Sequence, residues 1–105
     1  VKAIHLIQKD PKLLPKPISP GSKIFESGFW KLRIEQTKSL INGDIYFHQK
    51  QKEPSFFGGI IKDCRVQTDG EWEGRVIFTF EASSSHRGKR PQKGGGWDWE
   101  MNVQD

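Results

Sequence analysis

The segment from Gly43 to Val66 constrains the fold more than any other part of this chain. Two apolar runs flank a mostly polar stretch at 49–54, which predicts a strand, a turn and a second strand. In the first strand, 44–50, Ile45 and Phe47 fall on one face and Tyr46 and His48 on the other. The second, 56–67, opens on Phe56 and Phe57 and continues into Gly58 and Gly59. Paired glycines at a strand entrance predict a bulge or a close approach of another backbone.

The remaining apolar pattern extends this hairpin into a sheet. Residues 75–82 give the cleanest alternation, with Val76, Phe78, Phe80 and Ala82 inward and Arg75, Ile77, Thr79 and Glu81 outward. Asp69-Gly70 before it marks a tight turn. An opening strand is expected over 2–8, with Ile4 and Leu6 on one face. A further extended piece spans 23–32, and a closing strand spans 97–103 with Trp97 and Trp99 on one side. Between the first two, Pro11, Pro15, Pro17 and Pro20 fix backbone angles and remove donors, so 9–22 reads as an extended connection. Residues 34–41 carry Ile34, Thr37, Leu40 and Ile41 at helical spacing, and Asn42-Gly43 is a stop signal. The expectation is an α+β chain, mostly β. It is a single domain over 1–105, with a small mixed sheet curled into a partial barrel and one or two short helices.

Composition narrows the function. Hydrophobic residues are 33% and aromatics 11% of the 105 residues, so the core must be small and lean on Phe, Trp and Ile. No apolar run approaches the roughly 20 residues that span a bilayer, and no membrane partner is expected. Cys64 is the one cysteine, which leaves no internal disulfide and no cysteine-rich zinc site. With no signal-peptide pattern at the start, the chain reads as cytoplasmic. The formal charge of +4 is localised: Arg87, Lys89, Arg90 and Lys93 lie in the glycine-rich segment 83–96 without an acid. Without those four, basic and acidic residues are equal in number. A flexible basic loop of this kind either meets phosphate or merely keeps the chain soluble, and the sequence leaves both open.

The order of these residues resembles the PUA-like group of domains, of EVE or ASCH type. A helix over 34–41 runs into Asn42-Gly43-Asp44 and a strand ending at His48; Pro54 follows, then Gly58-Gly59 leads the next strand. The resemblance covers about 28–66. It implies a PUA-like pseudo-barrel that binds RNA or a modified nucleobase in a pocket of aromatic and small polar residues, with no metal and no cofactor.

The expected site is non-enzymatic. A base would stack in a pocket lined by Trp30, His48, Ser55 and Phe57, beside the thin backbone of Gly58 and Gly59, while Arg87, Lys89, Arg90 and Lys93 hold flanking phosphates. Trp30, two positions after Gly28, and Trp97, directly after Gly96, are the rings expected to be exposed. His48 either reads a base edge or bonds a neighbouring carbonyl. Ser55 as a nucleophile would need His48 as its base, and no nucleophile-elbow pattern surrounds it. His5, His86 and Asp44 make no metal-ligand spacing. The alternative is a non-enzymatic interaction or accessory protein whose basic loop meets an acidic partner and whose aromatics are core.

Overall fold

A computed structural model describes residues 2–8, 14–90 and 101–104. Seven strands form one mixed sheet. They are β1 (Ala3–Ile7), β2 (Lys16–Pro17), β3 (Ile24–Trp30), β4 (Asp44–His48), β5 (Phe57–Val66), β6 (Val76–Ala82) and β7 (Met101–Gln104). The spatial order is β2-β3-β6-β5-β4-β1-β7. Among the described residues only β1 and β4 run parallel, Ala3 opposite Asp44 through Ile7 opposite His48. Every other described pairing is antiparallel.

Alternation decides which face is core. Val76, Phe78 and Phe80 of β6 are fully buried, together with Ile45 and Phe47 of β4, Ile4 and Leu6 of β1, and Ile61 of β5. Phe47 and Phe80 stand on strands separated by β5, yet their ring centroids are 5.4 Å apart. In a flat sheet, strands two places apart are about 9–10 Å from each other, so the sheet curls toward this phenylalanine face. Phe25 and Phe57 close over Phe80 at 5.9 and 5.8 Å. The expected mixed sheet is present, but it does not close: β2 and β7 end it as two edges with no pairing between them.

The expected helix is shorter than its apolar stripe. Helix α1 (Ile34–Lys38) gives way to i→i−3 bonds at Leu40 and Ile41, and Asn42 adopts φ 72°. This tightening turns the chain directly into β4, where Asn42 N–H donates to the Ile61 carbonyl. Thr37 and Leu40 are the positions it buries. A second, single-turn 3₁₀ helix covers Ser84–His86. Of the two alternatives at Gly58-Gly59 the structure shows the close approach, with the Ile45 and Glu81 carbonyls against them, while the irregularity in β5 falls between Ile61 and Asp63. Asp69-Gly70 belongs to a broader loop closed by Gln67–Arg75 and Gly74–Gln67 hydrogen bonds. No helix among the described residues is long and apolar enough to cross a membrane.

Candidate functional site

The C-terminal end of β4 organises the polar chemistry. His48 is fully buried, with Nδ1 2.8 Å from the Glu53 carbonyl and Nε2 2.8 Å from His5 Nδ1. A carbonyl only accepts, so His48 carries its proton on Nδ1 and its Nε2 is an acceptor. His5 must then donate through Nδ1, and one carbonyl thereby sets both tautomers. Burial, followed by the neighbouring His48, depresses the His5 pKa to about 4, against an upward pull from Asp44. Burial also lowers the His48 pKa, opposed by the Glu53 carbonyl and assisted by the Arg90 charge.

Tyr46 lies between two imidazoles on this same face. It stacks on His5 at 4.5 Å and 15°, and its ring is 5.0 Å from that of His86. Burial and the Asp44 charge raise its pKa. His86 Nε2 in turn donates to Asp44 Oδ1 at 2.8 Å. Across β1, Asn102 pairs with His5 and is 1% exposed, yet neither atom of its amide finds a partner among the described residues. No three His, Cys, Asp or Glu side chains among those residues assemble a metal-ligand set.

Ser55 fastens the segment after the 3₁₀ turn to the β4–β5 turn. Its hydroxyl donates to the His86 carbonyl and accepts from Lys89 N–H at 2.9 Å. Its main chain bonds Lys89 and Gly88 in ladder fashion, at 2.8 and 2.7 Å. The Arg90 guanidinium adds a bond to the Lys52 carbonyl. The loop carrying exposed Lys50 and Lys52 is thereby joined to the segment carrying exposed Arg87, Lys89 and Arg90, and this joined stretch is termed the ridge. Within the two stretches 50–55 and 86–90, Glu53 is the one acid. Residues 87–90 of the expected flexible loop are therefore anchored.

The anticipated base pocket is not assembled from the residues expected to line it. Trp30 is 6% exposed, lies in the core cluster, and donates its indole N–H to Ser27 Oγ at 3.1 Å. Gly28, two positions before it, does not loosen the packing, because Ile77 fills that space. Phe57 packs over Phe47 and Phe80 on the apolar face, while His48 and Tyr46 occupy the opposite face. Gly58 and Gly59 do meet a close backbone, but it is the chain's own: a Cβ at Gly58 would strike the Ile45 carbonyl, and at Gly59 the Glu81 carbonyl. The glycines serve strand packing here. Both ring nitrogens of His48 are engaged and Ser55 bonds a carbonyl rather than an imidazole, so the serine–histidine pair of the hydrolase alternative is absent. Lys93 and Trp97 lie outside the described residues.

Sequence reasoning passed over His5, Tyr46, His86 and Asp44 as a cluster, and Lys50 and Lys52 as part of the ridge. It also missed a stacked pair, Phe29 and Trp72, with rings 5.5 Å apart at 4° and Arg75 over the indole. The one available signal for His5 was its place inside an otherwise apolar strand, where a polar residue must find a buried partner.

Comparison with protein-family models, with curated proteins and with solved structures gives no match.

Proposed function

We propose that this chain is a nucleic-acid recognition module whose ridge of Lys50, Lys52, Arg87, Lys89 and Arg90 holds the phosphate backbone. The observation that carries the reading is the Ser55 fastening. Two loops that carry five exposed cations are held together at Ser55, with no ion pair formed by any of the five among the described residues. Placing like charges together costs free energy unless an anion meets them, and phosphate accepts hydrogen bonds from both lysine and arginine. Kinship with PUA-like domains belongs to the same proposal. Its support is the order of elements: a short helix, Asn42-Gly43-Asp44, a strand ending at His48, Pro54, then the glycine-led strand β5.

Titration of labelled single-stranded and duplex oligonucleotides tests the reading. Replacing Arg87, Lys89 and Arg90 with Gln is expected to weaken binding at least tenfold, and adding Lys50→Gln and Lys52→Gln to weaken it further. Unchanged affinity in the fivefold variant would refute it. The burial of Trp30 favours a second reading, a non-enzymatic interaction protein, since it removes one expected stacking platform. Polyglutamate competing as effectively as an oligonucleotide for the ridge would decide for that reading.

A further inference from the structure

On the phenylalanine side of the sheet a cleft lies beside the edge strand β7. The ridge follows the C-terminal end of β4, whereas residues 31–33 connect β3 to α1 and Gln36 lies within α1. There a cavity of about 650 Å³ separates the β3–α1 connection from the edge strand β7. It borders the edge strand β7 and takes no lining residue from the other edge, β2. Volumes of roughly 300–1,000 Å³ are those of small-molecule sites, and the mouths of barrels are a common place for them.

The lining is divided by chemistry. Leu32 from the connection and Met101 and Val103 from β7 supply an apolar floor, and all three pack against the core cluster. Met101 and Val103 stand opposite Leu6 and Ile4, which places them on the phenylalanine side of the sheet. Lys31 and Arg33 are exposed at the rim, and neither forms an ion pair or a side-chain hydrogen bond among the described residues. Gln36 adds an amide, and among the described residues no carboxylate lines the cavity. Hydrocarbon at the bottom and two cations at the lip, with no ion pair among the described residues, match one kind of guest.

The geometry points to a binding site for a small amphipathic anion, an apolar or planar body carrying one phosphate or carboxylate group. The body lies on Leu32, Met101 and Val103, and the anionic group reaches Lys31 and Arg33. Arginine takes such a group through two parallel N–H donors and lysine through a point charge. This site is separate from the phosphate ridge and does not depend on it.

Three probes resolved by NMR on the isotope-labelled chain test it: 1-naphthyl phosphate, neutral 1-naphthol, and inorganic phosphate. The naphthyl phosphate is expected to bind saturably, with shifts clustered at 31–36 and 101–103. The other two, each lacking half of the ligand, are expected to bind at least tenfold more weakly. The double variant Lys31→Gln/Arg33→Gln changes only exposed side chains; it should lose at least tenfold in affinity for naphthyl phosphate and nothing for naphthol. Adenosine monophosphate and decanoate, titrated as competitors, separate a nucleotide source from a lipid one, and displacement by either upholds the site. Equal affinity for naphthol and its phosphate, full affinity in the double variant, or shifts clustered at 50–55 and 86–90 would overturn it. The fivefold ridge variant should retain this binding while losing oligonucleotides, so the two proposals fail independently.

Discussion

The two faces of this sheet are built from the same strands and solve opposite problems. On one face Ile4, Leu6, Ile45, Phe47, Phe78 and Phe80 pack hydrocarbon on hydrocarbon. On the other, the residues between them in β1 and β4, His5, Tyr46 and His48, form a chain of rings ending on a single carbonyl. All five residues of β1 are buried, so both of its faces are covered. Hydrocarbon packing is non-directional and tolerates many arrangements of similar volume. The ring chain tolerates few, because each nitrogen must meet a partner of the right kind. The apolar face therefore makes the fold stable, and the polar face ties its registers and loops to one arrangement.

The largest effect expected from disturbing this contrast lies on the apolar side. Phe80 is fully buried and its ring meets those of Phe25, Phe47 and Phe57. Phe80→Ala should cost about 3–5 kcal/mol, measured by urea denaturation, with no change in the pH dependence of what stability remains.

Next comes the polar face, where pH is the probe. The fold keeps His5 neutral, so below the ordinary pKa of 6.5 the unfolded chain takes up a proton that the folded chain refuses until about pH 4. Stability should be full above pH 6.5 and fall as pH drops toward 4, at up to ~1.4 kcal/mol per pH unit for one such histidine. His48, also lowered, adds in the same direction. His5→Leu should cost about 1–3 kcal/mol at pH 7 by removing the donor to His48 Nε2, and should reduce the slope of the denaturation midpoints between pH 6.5 and 4 to the part that His48 contributes. A variant that keeps the full slope would remove His5 from the account.

A smaller loss is expected where the polar face reaches the ridge. Ser55→Ala deletes the hydroxyl that joins the His86 carbonyl to Lys89 N–H. The main-chain ladder survives, so about 1–2 kcal/mol should be lost, with faster amide exchange confined to 86–90. The smallest effect on stability belongs to the ridge itself. Neutralising its exposed cations should shift unfolding by less than about 0.5 kcal/mol, and slightly upward if like-charge repulsion is relieved.

Legibility in the sequence followed the same division. Period-two alternation marked β4 and β6 and their inward residues, because a half-buried strand needs nothing beyond its own pattern. Asn42 was readable as the end of α1, since few residues accept a positive φ. The helix's early tightening was not, being imposed by the hydrogen bond from Asn42 to Ile61 on a strand further along the chain. The open edges were equally hidden: closure depends on curvature accumulated over all seven strands. Trp30 was misjudged because glycine near an aromatic reads as looseness, whereas Ile77 fills the space at Gly28. The histidine chain depends on a parallel pairing of β1 with β4, whose partners are some forty positions apart. Of the ridge, the cations of 87–90 were visible as a charge cluster. Their junction with Lys50 and Lys52 was not, because it is made by Ser55 across thirty-four positions.

The most direct measurement is the salt dependence of oligonucleotide binding, in the native chain and in the variant with Gln at 50, 52, 87, 89 and 90. Five phosphate contacts on a single strand should give a slope of log affinity against log salt of about −3.5, and the variant's slope should approach zero. A native slope near zero, or a steep slope that survives the five substitutions, would contradict the ridge as the phosphate-binding surface.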